Sequence, residues 1–225
     1  MHKIKTLLEN LKDVKVIDSS IDYSDYIAVD LSASNEELSK LKITDAAAFE
    51  NYIEDYLAKN NAKVAFGGYQ EIRNLYKRST VFNDKKSDER NIHIGLDLWI
   101  KAGTSVLAAL DGTIHSFQNN TALGDYGPTI ILEHQVDELK FYTLYGHLSL
   151  DSLTDKQIGT EVKKGEVIAT LGSPPINGDY APHLHFQIII DIENKIGDYP
   201  GVCNEKDLEF YSENCLDPNL LLKMF

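Results

Sequence analysis

The chain has 225 residues, 43% of them hydrophobic and 25% charged, which is enough to bury a full core without disulfide or metal staples. Its 22 basic residues stand against 35 acidic ones, and the formal net charge of −13 argues against nucleic acid or an anionic membrane as partner. No run approaches the roughly 18 consecutive apolar residues of a membrane-spanning helix.

Charges interrupt every short apolar stretch of residues 2–20, so the apolar core of a signal peptide, about 7–15 residues, is missing. The expectation is a cytoplasmic protein, or one of the cell wall or periplasm if the chain is cut from a longer precursor. Cys203 and Cys215 are then expected to be free thiols. Ile4 to Leu11 has apolar residues at helical spacing, and Val16 to Leu31 is mixed and extended. Ser34 with Glu37 three residues on is a capping-box pattern for a short helix. Thr44-Asp45 opens a stronger helix through about Lys59, with Phe49, Ile53, Tyr56 and Leu57 as its buried face, and Phe66-Gly67-Gly68-Tyr69 breaks the chain after it. These elements make residues 1–80 an N-terminal helical or mixed extension, either a packing layer or a lid or inhibitory segment.

Residues 81–225 form a β domain, in which short strands alternate with Gly and Pro turns. Three of its strands carry chemistry. Arg90 to Trp99 alternates Ile92, Ile94, Leu96 and Leu98 with His93, Gly95 and Asp97, so His93 and Asp97 share a face, with a glycine between them leaving room for something bulky. Tyr142 to Ser149 leads to His147. Pro182 to Ile190 holds His183 and His185 two apart, pointing to one side of a strand. Converging imidazoles are costly to bury unless something binds them. His115 and His134 read as a solvent-facing strand residue and a hairpin end, His2 as part of a helix start, and Trp99 as a core anchor.

His-x-Gly-x-Asp, Tyr-Gly-His-Leu and His-Leu-His-Phe, in this order over about residues 90–190, resemble the M23 peptidases, the lysostaphin and LytM-like zinc endopeptidases. The resemblance implies that His93, Asp97 and His185 hold zinc and that His147 and His183 are the catalytic histidines. It implies a zinc-dependent endopeptidase acting on peptidoglycan-type or glycine-containing peptides. Two imidazoles and one carboxylate leave a fourth tetrahedral position for water, as catalytic zinc sites do, and two further histidines can carry protons at neutral pH. No His-Glu-x-x-His occurs, which excludes the thermolysin type of site.

Gly103 to Gly112 and Gly159 to Gly165 echo each other and resemble the half-barrel repeat of lipoyl-type and sugar-phosphotransferase domains. The expected fold is therefore mainly β: an antiparallel sheet or half-barrel, duplicated and related to the lipoyl barrel, with the α-helical N-terminal extension. Its groove is expected to have walls near 117–127 and 172–181, with Gly178-Asp179-Tyr180 touching substrate. The tail, Gly197 to Val202 and Asp217 to Leu222, looks like that of M23-like modules fused to class III aminotransferases and small-molecule kinases, which are intracellular. Two alternatives keep the fold and drop the peptidase: a non-catalytic zinc-binding module acting as regulator or ligand-binding protein, and a phosphohistidine carrier, which needs neither Asp97 nor a third histidine strand.

Overall fold

The computed structural model describes residues 2–41, 44–74 and 89–224. The boundary expected near residue 80 and the first residues from Val81 lie outside them. In chain order the elements are α1 (His2–Asn10), β1 (Tyr26–Ala28), α2 (Glu36–Ser39), α3 (Ala46–Asn60), β2 (Val64–Gly67), β3 (Ile92–His93), β4 (Leu96–Trp99), β5 (Ser105–Leu107), β6 (Gly112–Asn120), β7 (Gly127–Val136), β8 (Leu139–Gly146), β9 (Glu161–Val162), β10 (Val167–Thr170), β11 (His183–Ile189), β12 (Val202–Cys203), α4 (Leu208–Asn214), β13 (Cys215–Leu216) and α5 (Asn219–Leu222). No helix among the described residues is long and apolar enough to cross a membrane.

One nine-stranded sheet runs β1-β2-β4-β11-β8-β7-β6-β9, with β13 also paired to β11; β5–β10 and β3–β12 form small two-stranded sheets. The fold is mainly β, as expected, but the large sheet is open and mixed, because β1 and β2 run parallel while its other pairs are antiparallel. The two echoing segments meet where Gly112 of β6 pairs with Val162 of β9 and where the Gly165 N–H donates to the Ala108 carbonyl at 2.8 Å.

The sheet's two faces follow from the two-residue period of a strand. Leu96, Leu98, Leu184, Phe186, Ile188, Phe141 and Tyr145 point into the main core, with Ile4 and Leu8 of α1 and Leu221 and Leu222 of α5. The alternate positions of β4, β8 and β11 point the other way and floor the site. A third cluster forms where α3 lays Phe49 and Ile53 over Val29, Leu31, Ala65 and Trp99. Beyond its helices, the N-terminal extension thus adds two strands, and β2 lies directly beside β4, with Gly67 opposite Asp97.

Several local expectations shift by a residue or two. The cap of α2 is Asn35, whose side chain accepts from the Glu37 N–H, while Ser34 pairs its hydroxyl with Ser32. Asp45 caps α3 as expected, accepting from Ala48 N–H at 3.2 Å. Phe66 and Gly67 close strand β2, so the break begins at Gly68. Residues 90–99 form two short strands instead of one, interrupted at Ile94-Gly95.

His134 lies one turn of chain from the β7–β8 hairpin, yet it is fully buried. Its Nδ1–H donates to the Asp111 carbonyl at 2.9 Å, and Nε2 sits 2.7 Å from the Thr143 hydroxyl. Burial pushes this imidazole below its ordinary value near 6.5, so the unfolded chain binds the proton more readily than the folded one. Stability from this residue is therefore complete above about pH 6.5 and is lost as the pH falls below it. Urea midpoints are expected to drop between pH 7 and pH 5, with a smaller drop in His134→Gln; equal pH dependence in both proteins would refute the assignment.

Candidate metal centre

The antiparallel register of β11 against β4 and β8 assembles the site. His185 lies opposite Asp97 on one side and Gly146 on the other, and His183 lies opposite Trp99. His93 reaches in from β3. Gly95 is required by close approach: a Cβ there would stand 2.5 Å from His185 Cε1 and 2.6 Å from its Nε2, so the bulky group expected beside this glycine is the His185 ring.

Three donor atoms converge in a buried triangle. His93 Nε2 lies 3.0 Å from His185 Nδ1, Asp97 Oδ1 lies 3.3 Å from His93 Nε2, and His185 Nδ1 lies 3.2 Å from the same oxygen. The outer partners set the tautomers. His93 Nδ1–H donates to the Gly68 carbonyl at 3.1 Å, which leaves Nε2 with a lone pair. His185 Nε2–H faces Gln187 Oε1 at 3.1 Å, and Gln187 is held amide-outward by giving its NH₂ to the Pro200 carbonyl and to Cys215 Sγ, both at 3.1 Å. His185 Nδ1 is then also an acceptor. Asp97 carries the third: burial would raise its carboxyl, but His93 and Arg73 pull the other way and hold it well below the usual carboxylate range.

Three acceptor atoms so close repel one another unless a cation lies between them. A tetrahedral ion with bonds of about 2.0–2.1 Å spaces its donors by about 3.3 Å, close to the separations observed. The donor set of two imidazoles and one carboxylate therefore fits a zinc-type divalent ion.

Two further imidazoles complete the cleft. His147 follows β8 in a left-handed conformation at φ 62°, which turns it inward. Its Nδ1–H donates to the Asn177 carbonyl at 2.8 Å, and His183 Nδ1–H donates to the Ala181 carbonyl at 2.8 Å, so both carry their free lone pair on Nε2. His183 Nε2 is 3.8 Å from Asp97 Oδ1, and the two rings lie 4.2 Å apart between centroids. Burial pushes His183 down to about 4 and holds His147 well below its ordinary value, so both are neutral at pH 7. Trp99, buried as expected of a core anchor, also stacks on His183 at 3.9 Å.

The cleft's walls are the 124–126 loop and Tyr180, as anticipated, joined by an unanticipated third wall running from Lys195 through Asp198, Tyr199 and Pro200 to Val202. Asp179 does not line it. Tyr126 places its hydroxyl 3.3 Å from His185 Nε2. Asp125 and Asp198 are raised chiefly by burial, Asp125 also by Asp198, with Arg90 acting against the shift in both. Among the described residues the cleft is lined from Arg90 onward; the extension reaches the site from beneath it. Cys203 and Cys215 are both buried free thiols.

The cleft is thus floored by antiparallel strands, with a triangle of three acceptor atoms that could hold a metal ion and two neutral imidazoles at its edge. Residues 91–196 match the family model described as Peptidase family M23. It is 34% identical over 99 residues to an "Uncharacterized metalloprotease" of Haemophilus influenzae, a match that takes in 44% of this chain and 19% of the relative, so the chain spans about a fifth of that relative's length. Among solved structures it is similar to lysostaphin from Staphylococcus simulans at 27% identity, covering 58% of this chain and 44% of the other, with TM-score 0.39. The lysostaphin catalytic domain gives 25% identity, coverage of 68% and 94%, and TM-score 0.40. A zinc-containing peptidase from Vibrio cholerae gives 27% identity, coverage of 44% and 27%, and TM-score 0.32.

Proposed function

We propose that the protein is a zinc-dependent endopeptidase that hydrolyses peptide bonds in peptidoglycan-type or glycine-containing peptides. The observation that carries this reading is the triangle of His93 Nε2, Asp97 Oδ1 and His185 Nδ1, three acceptors fixed by their outer hydrogen bonds to face one another. These three atoms would hold the ion. Bound there, it would supply Lewis acidity towards a scissile carbonyl and a water acidified to about pKa 7. The M23 match and the metalloprotease name of the Haemophilus relative support peptide hydrolysis, and the narrower substrate rests on the resemblance of the three motifs to lysostaphin-like enzymes.

The chain's own residues would move the protons. His147 and His183 each present an unprotonated Nε2 to the cleft while a backbone carbonyl holds the opposite ring nitrogen. One imidazole accepts the proton of the attacking water at Nε2, and the other, once protonated, donates its Nε2–H to the oxyanion or the leaving amine. Tyr126 and Tyr180 flank His147, with ring centroids 5.6 Å and 5.1 Å from its own.

The test is cleavage of a peptide library that includes oligoglycine and cell-wall stem peptides, with and without a chelator. Cleavage that stops on chelation and returns with zinc is the expected result. Cleavage indifferent to the chelator, or a zinc-loaded protein that cuts no member of the library, would overturn the proposal.

A further inference from the structure

Arg73 is an arginine with no exposure at all, contributed by the segment that follows β2. Its Nη1–H donates to Asp97 Oδ2 at 2.5 Å, and its Nε–H donates to Glu71 Oε2 at 2.5 Å. The other Glu71 oxygen accepts the Leu31 N–H at 3.0 Å. The backbone here is pinned strand-fashion to the strand that bears His93: Gln70 N–H to the His93 carbonyl at 2.8 Å, His93 N–H to the Glu71 carbonyl at 3.0 Å and Arg73 N–H to the Asn91 carbonyl at 2.8 Å. A buried fork therefore grips one oxygen of Asp97 and leaves the other, Oδ1, to face the two imidazoles.

That division has a consequence for coordination. A carboxylate with both oxygens free can chelate an ion and occupy two positions. Two imidazoles and a chelating carboxylate would crowd the position that a catalytic site keeps open for water. We propose that Arg73, braced by Glu71, is a positioning residue that restricts Asp97 to binding through one oxygen and so preserves the open position. The N-terminal extension is then part of the metal centre's outer sphere, supplying Arg73 to Asp97 and the Gly68 carbonyl to His93. The proposal rests on the metal site of the preceding subsection.

The test compares the full-length protein with Arg73→Met and Arg73→Lys, using zinc and cobalt(II) as probes. Zinc affinity is read by competition with a chromogenic chelator, coordination by the visible absorption of the cobalt form, and folding by thermal unfolding without metal. Cobalt(II) absorbs strongly with four donors and weakly when more are added. Arg73→Met is expected to bind zinc roughly 10- to 100-fold more weakly and to show weakened cobalt absorption. Arg73→Lys, whose single ammonium cannot grip Glu71 and Asp97 as a fork does, should fall between. Variants that unfold earlier yet keep the parental zinc affinity and cobalt spectrum would overturn the positioning role. If the Met variant does not fold, an unchanged affinity and spectrum in the Lys variant would overturn it. Failure of the parent to bind either ion would instead overturn the metal site itself, and this proposal with it.

Discussion

Asp97→Ala is expected to abolish metal binding and hydrolysis together, and to destabilise the metal-free protein as well. The first effect follows from the triangle: without Oδ1 only the two imidazoles remain, with no negative charge to offset a divalent ion. The second follows from Arg73. Its guanidinium is fully buried, and removing Asp97 takes away a carboxylate to which it donates at 2.5 Å. Breaking a buried pair by deleting one member typically costs about 3–5 kcal/mol. Asp97→Asn separates the two effects, since an amide oxygen can still accept from Arg73 but brings no charge to the ion. Metal content per chain and urea unfolding of the metal-free protein measure both. His93→Ala should lose metal without the Arg73 penalty. Full zinc occupancy in Asp97→Ala would sink the ligand assignment.

The second large effect is expected at the two imidazoles outside the triangle. His147→Ala and His183→Ala should each retain about one zinc yet lower kcat by roughly 10²- to 10⁴-fold, the range ascribed to positioned proton transfer. Both rings are tethered through Nδ1 to backbone carbonyls, at Asn177 and Ala181, and neither tether involves a member of the triangle. Their lone pairs are available at neutral pH because burial holds both groups deprotonated. If the two share one proton path, the double variant should be little worse than the poorer single one. Loss of zinc from either single variant would move that histidine into the ligand set, and undiminished turnover would remove it from the chemistry.

Much of this centre is legible in the residues themselves, because strand periodicity is local. Two-residue spacing puts His183 and His185 on one face, and four-residue spacing does the same for His93 and Asp97 even though Gly95 interrupts the strand. The same rule reaches Gln187, two further along β11, where it lies under His185; that position had a readable signal in its spacing and was missed. Arg73, the Gly68 carbonyl and the Lys195–Val202 wall had none, because their approach depends on chain folding over tens of residues. The misplaced cap at Ser34 is of another kind: Ser34 and Asn35 are both able caps, and the backbone path decided between them.

By itself, then, the amino-acid order determined a β domain in which His93 shares a face with Asp97 and His183 with His185, since alternation of faces needs nothing beyond the strand. Only the tertiary structure decided which nitrogen of each imidazole is free, which oxygen of Asp97 faces the site, and that the N-terminal extension sustains the centre from beneath. Those choices are made by the accepting oxygens of Gly68, Asn177, Ala181 and Gln187 and by the donating guanidinium of Arg73. Three of these five, Gly68, Arg73 and Asn177, lie on segments remote from the histidine or aspartate they serve, so their effect exists only once the sheet has brought them together.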